Sequence, residues 1–172
     1  MSAVTQEHLT LEEFHAFEHS RTDGPRYEYW FGKAVPKAMP TWLHSELQAL
    51  LLGLLKQLGY YSAIELELRI LPDWHPKPDV AAASFREQPY PTKPIEIVAE
   101  VLSPTDKPSE VNEKCRNYEK CGIGQIYVFD PQKRTAEIWM ADRLVAIEML
   151  RLPNGVTYPV SAIWNELDRR MA

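Results

Sequence analysis

The sequence predicts an α/β fold in which a mixed β-sheet is flanked by helices, within one domain spanning residues 1–172. Three observations carry that prediction. Leu43, Leu47, Leu50, Leu51, Leu54 and Leu58 recur at helical spacing and form one apolar stripe. Residues 64–70 alternate apolar Ile64, Leu66, Leu68 and Ile70 with charged Glu65, Glu67 and Arg69, the period of a half-buried strand. Two apolar runs, 77–83 and 95–102, then precede a helical pattern and a further apolar run at 125–130. That order suits a crossover helix between neighbouring strands.

Each element has a local reason. Thr10 opens a short helix as N-cap, with Glu13 completing a capping box, and forms an N-terminal arm over about residues 8–20. Residues 25–31 and 33–37 flank Gly32 and read as a hairpin. The leucine-striped helix starts at Pro40-Thr41, and Gly59 ends it. A strand over 60–71 follows, then the two apolar runs, separated by a proline-rich loop at 85–94. Pro104 stops the second run, and a helix over 109–121 ends at Gly122. Strands at 125–130, 135–140 and 144–150 extend the sheet, the last two joined by a turn at 141–143. A helix over 161–170 closes the chain.

At 172 residues there is room for one domain with a sizeable core. The net charge of −5 excludes a broadly basic nucleic-acid footprint, so binding DNA would call for a local basic face or a bound metal. Residues 1–8 lack the basic and apolar regions of a signal peptide. The longest apolar block, 49–58, is interrupted by Gly53, Lys56 and Gln57 and is too short to span a bilayer. A cytoplasmic protein with no membrane partner is the expectation. Cys115 and Cys121 lie six apart on the predicted helix and point about 120° from each other, which disfavours a disulfide. With no histidine pair nearby they also miss zinc spacing, and they read as small apolar side chains.

Asp79 and Glu100 stand inside the two apolar runs. Burying a carboxylate is costly unless a cation, a proton or hydrogen-bond donors meet it. Two such acids on successive strands point to a shared partner, and Mg²⁺ is usually held by one or two carboxylates plus waters and substrate phosphates. Alternation places Glu100 on the face of Glu96, Val98 and Leu102, with Glu96 ranked lower because it lies near the strand start. Ala81 and Ala83 share the face of Asp79, and their small size would leave space for an ion. On the following helix Val111, Cys115, Tyr118 and Cys121 fall on one arc that also contains Lys114, while Arg116 and Lys120 point away. Lys114 either snorkels to solvent from the stripe's edge or meets the acids, and the two acids tip the reading toward the second.

Other polar residues carry weaker signals. His44, in the first turn of the long helix, reads from its position as a boundary histidine bonded to backbone. Glu28 lies among aromatics and is either solvated or in need of a partner, depending on which face turns inward. Glu65 and Glu67 fall on the polar face of their strand, and His75 has no recognisable partner. No phosphate-cradling glycine loop and no Gly-x-Ser-x-Gly elbow is present. The five tryptophans are too scattered for a base-stacking platform.

Taken in order, these residues bear a family likeness. Tyr27-Glu28-x-x-x-Gly32, His44, Pro78-Asp79, Glu100-Val101-Leu102-Ser103-Pro104, Glu113-Lys114-x-x-x-Tyr118-x-x-x-Gly122 and Tyr127-Val128-Phe129-Asp130 together resemble the Uma-two family of restriction-endonuclease-like proteins. That family is placed in the PD-(D/E)XK nuclease superfamily, and the likeness runs from about residue 9 to 140. The resemblance implies a restriction-endonuclease-like core, a mixed four-stranded sheet flanked by helices, and Mg²⁺-dependent hydrolysis of DNA, with Mn²⁺ as a substitute ion. It makes Asp79 and Glu100 the metal-binding acids and the main-chain carbonyl of Val101 a further ligand. The superfamily's lysine usually follows the glutamate by two residues, a place held here by Leu102, and Lys114 is its replacement from the next helix. Glu28 and His44 match family positions that line the site, and a homodimer fits an enzyme that cuts symmetric sites.

Two alternatives stand beside this reading. Leu102 and the negative net charge favour a non-catalytic nuclease-like module that binds a partner. Alternatively, the acids are purely structural, with Glu100 paired to Lys114 as a buried salt bridge.

Overall fold

The computed structural model describes residues 8–172, and the segment 1–7, read above for targeting features, lies outside them. Helix α1 (Leu11–His19) begins at Thr10, whose side chain accepts from the Glu13 N–H while Glu13 reaches back, closing the expected capping box. A hairpin follows, β1 (Tyr27–Trp30) and β2 (Lys33–Pro36). Its two turn residues, Phe31 and Gly32, both have positive φ, the twist-matched turn of a two-residue hairpin. Helix α2 (Trp42–Gln57) is capped by Thr41 and buries Leu47, Leu50, Leu51 and Leu54, the predicted stripe.

The main sheet assembles from β3 (Tyr61–Ile64), β5 (Val80–Ala83), β6 (Ile97–Val101), β7 (Gln125–Asp130), β8 (Thr135–Met140) and β9 (Arg143–Ala146), in that spatial order. Only β6 and β7 run parallel, and helix α3 (Pro108–Lys120) makes the crossover between them. A second, antiparallel sheet sets β1 between β2 and the short β4 (Trp74–His75). The last elements are β10 (Met149–Arg151), β11 (Thr157–Pro159) and α4 (Val160–Met171).

Alternation along β6 divides the core. Ile97, Ala99 and Val101 face a layer made by α2 and α4, with Leu47, Leu51, Ile163 and Leu167. Val98 faces the other way, onto Cys115 and Tyr118 of α3 and onto Trp74. Both cysteines are free and buried. Among the described residues no helix is long and apolar enough to cross a membrane.

Two strand expectations need correcting. The strand expected over 60–71 stops at Ile64, where Glu65 takes a left-handed φ of +50°. Beyond it the neighbouring stretch carries Pro76 and Pro78, which have no N–H to give to a ladder. Contact reduces to single bonds, Glu65 N–H to Pro78 O at 3.0 Å and Leu68 N–H to Pro76 O at 2.9 Å. The phase of alternation is reset there, and Glu67, expected on the solvent face, is buried. The strand expected over 144–150 divides into β9 and β10, because β10 leaves the main sheet to pair with β11.

Candidate active site

Asp79 is the last residue before β5, at the point where Pro78 brings the chain into the main sheet. Its neighbour β6 meets it with a backbone donor, the Val101 N–H, at 2.8 Å from Oδ2. Lys37, just past β2, places Nζ 3.1 Å from Oδ1 and 2.6 Å from the Lys77 carbonyl. His44 enters from the first turn of α2, with Nε2 3.4 Å from Oδ2. One turn further along, Gln48 donates to the Asp79 main-chain carbonyl at 2.8 Å.

Glu100 lies in β6 and points toward α3. Its Oε1 accepts from Tyr118 Oη at 2.5 Å and from Lys114 Nζ at 2.9 Å. The same ammonium sits 2.9 Å from Glu28 Oε1. Glu28 is held in turn by the Lys77 N–H at 2.7 Å and by Trp30 Nε1 at 3.1 Å. Lys114 therefore bridges two buried acids from separate sheets, and it does not snorkel away from them.

The electrostatics follow from burial and from sharing. Burial pushes Glu100 up to about 7, against the pull of Lys114, and nearby Asp79 adds to the rise. Burial would raise Asp79 too, but Lys37 and His44 outweigh it and hold that carboxyl well below its ordinary range. Lys114 would lose its proton more easily when buried, yet Glu100, Glu28 and Asp79 raise it further above its usual value. It is a fixed cation.

The residues that the family resemblance implies for the site line one cleft: Glu28, His44, Asp79, Glu100, Val101 and Lys114. The cleft has a cavity volume of about 100 Å³ and is also walled by Lys37, Leu102 and Ser103. The space does not come from Ala81 and Ala83, which pack beneath α3 and border a different cleft with Tyr61 and Phe85. It comes from the gap between the β1–β2 hairpin and α3. His44 bonds to Asp79 rather than to backbone through its ring, and its Nδ1 has no partner among the described residues.

Sequence reading missed Lys37, Gln48 and the bond of Tyr118. Tyr118 shares the arc of Lys114 one turn on, so helical spacing could have found it. Lys37 gave no such signal, since it reaches Asp79 only because the hairpin folds across the end of the main sheet.

The donor set suits a hard divalent ion. Asp79 and Glu100 offer oxygen only, the preference of Mg²⁺, and Glu100 Oε2 takes no hydrogen bond from the described residues. Asp79 is the tighter fit, because Lys37 already stands at its Oδ1.

Comparison with known proteins agrees with this architecture. A family model described as "Uma2: Putative restriction endonuclease" matches residues 11–165. Among solved structures, one described as "a putative nuclease belonging to DUF820 from Anabaena variabilis ATCC 29413" aligns with a TM-score of 0.72. That alignment covers 92% of this chain and 99% of the other, at 20% sequence identity, and so establishes a shared fold. No curated protein matches the chain.

Proposed function

From a chain that belongs to the Uma2 family, with its acids and lysine gathered in one cleft, we propose a nuclease that hydrolyses phosphodiester bonds in DNA with a divalent metal. The observation that carries this reading is the meeting of Asp79, Glu100 and Lys114, drawn from two strands and a helix. In it, Asp79, Glu100 and the main-chain carbonyl of Val101 would hold Mg²⁺, or Mn²⁺ in its place. The ion when bound polarises the phosphate and lowers the pKa of a water.

The chain's own groups do the rest. Lys114, held cationic by its carboxylate neighbours, steadies negative charge on the phosphoryl oxygens or orients the attacking water. It is too basic to serve as the proton acceptor. Glu28 anchors that ammonium together with Glu100, and Tyr118 fixes the Glu100 carboxylate. His44 and the Val101 N–H orient Asp79. Lys37 neutralises Asp79 and would have to share that carboxylate with a bound dication or give it up. We place this enzyme in the cytoplasm as a single-domain homodimer.

Purified protein with Mn²⁺ or Mg²⁺ should cut single- or double-stranded DNA. Asp79→Ala should lose the cleavage by at least roughly a hundredfold. Cleavage no greater than that of Asp79→Ala sinks the proposal. One observation favours the binding-module alternative, namely the Lys37 ammonium on Asp79 with Leu102 in the usual lysine place. Under that alternative, isothermal titration with Mn²⁺ gives no heat assignable to Asp79 and Glu100.

A further inference from the structure

Outside the residues that line the cleft, three segments bring His15 of α1, Glu67 of the irregular stretch after β3, and His75 of β4 to one point. One ligand atom from each lies within 4.8 Å of the other two. His15 Nε2 is 3.1 Å from Glu67 Oε1, and His75 Nδ1 is 3.4 Å from the same oxygen. Metal bonds of about 2.0–2.1 Å in a tetrahedral site put neighbouring ligand atoms about 3.3 Å apart, between those two separations.

Without an ion, the cluster is held by nitrogen donors that converge on one oxygen of Glu67. Arg69 donates from Nε to Glu67 Oε1 at 2.8 Å and approaches His15 Nε2 with Nη2 at 3.4 Å. A guanidinium only donates and a carboxylate only accepts. His15 Nε2, 3.1 Å from the carboxylate, donates to Glu67 in this state, and Arg69 stands against the same nitrogen at 3.4 Å. A bound cation would take the place of the shared proton, facing the lone pair of a neutral Nε2 and the carboxylate oxygen together. Arg69 is free to make way: its side chain is 30% exposed and its guanidinium already stacks on Tyr90, 3.8 Å from the ring centre.

We propose that His15, Glu67 and His75 form a transition-metal site, with Zn²⁺ as the ion it fits best, separate from the oxygen-lined cleft. Two imidazoles and one carboxylate select zinc-like ions over Mg²⁺, whereas the Asp79 and Glu100 pair has the opposite preference. Glu67 and His75 are buried, and His15, 23% exposed in its side chain, leaves the path by which the ion enters. A water completes the coordination on the side that Arg69 vacates. The ion fastens α1 to β4, four residues ahead of Asp79 in sequence.

Tag-free protein stripped with EDTA should bind one equivalent of Zn²⁺ by calorimetry. With Co²⁺ it should develop the visible absorption of a tetrahedral site. His15→Ala and His75→Ala should each weaken binding at least roughly tenfold, and Arg69→Ala should strengthen it by removing a competitor. Asp79→Ala should leave the Co²⁺ spectrum unchanged. Absence of the spectrum in the parent protein, its survival in His15→Ala, or its loss in Asp79→Ala overturns the proposal. If His75→Ala fails to fold by circular dichroism, His15→Ala decides the matter, since that residue sits on a partly exposed helix face.

Discussion

Glu100 and Glu67 are equally hidden, at 9% and 6% exposed, yet their environments move them in opposite directions. Burial raises both. At Glu100 burial prevails and lifts the carboxyl to about 7 against the pull of Lys114, with Asp79 and Glu28 adding to the rise. At Glu67 burial is overcome by His75, His15 and Arg69, and the carboxyl falls to about 2. Burial thus decides at Glu100, where one shared lysine cannot offset it, whereas three nitrogen donors on one carboxylate outweigh it at Glu67. The cleft is short of positive charge and lined with oxygen. The cluster around Glu67 has donors to spare, and they end in nitrogen.

The largest effect should come from removing the shared cation. Lys114→Met leaves Glu28 and Glu100 buried without their ammonium, at a cost of about 3–5 kcal/mol in urea unfolding at pH 7 with chelator. Arg69→Met should cost about 1 kcal/mol or less, because Arg69 is partly exposed and the two histidines remain on Glu67. Equal losses would break the comparison.

Acid and base titrations of stability separate the two acids by sign. Glu67 falls from its ordinary 4.5 to about 2, so its contribution is complete above about pH 4.5 and disappears as the pH drops toward 2. In metal-free protein the advantage of the parent over Glu67→Gln should shrink across that window by on the order of 3 kcal/mol. Glu100 moves the other way, from 4.5 up to about 7. Between those values the folded state holds the proton more tightly than the unfolded chain, so stability declines with rising pH. Glu100→Gln should accordingly compare better with the parent at pH 8 than at pH 5. Parallel curves for the two glutamine variants would refute the opposition.

The difference between the regions also explains what was legible in the sequence. Asp79 and Glu100 showed themselves as acids in apolar strands, and Lys114 as the one charge on the buried arc of its helix. Those signals are local, since strand and helix periods fix which face a side chain takes. The cluster was hidden because its phase is set elsewhere. Alternation through Glu65 and Glu67 predicts a shared exposed face, but Glu65 turns left-handed opposite a stretch whose prolines cannot sustain the ladder, and Glu67 swings inward. His15 and His75 then find it from other elements, at separations in sequence of 52 and 8 residues. Lys37 was hidden for a similar reason, reaching Asp79 across 42 residues.

A smaller effect than that of Lys114 is expected from a hydroxyl that has no counterpart at Glu67 among the described residues. Tyr118 Oη lies 2.5 Å from Glu100 Oε1, and its ring packs edge-on against Trp74 at 5.1 Å between centroids. Tyr118→Phe keeps that aromatic contact and removes only the donor. Lys114 still reaches Oε1, so the carboxylate is not orphaned, and the expected loss in urea unfolding is about 1–2 kcal/mol. The order of the two variants is the informative quantity. If Tyr118→Phe destabilises more than Lys114→Met, the hydroxyl rather than the ammonium sustains Glu100. Glu100 would then be predominantly protonated in the metal-free cleft, and the contrast with Glu67 would rest on a proton rather than on a shared lysine.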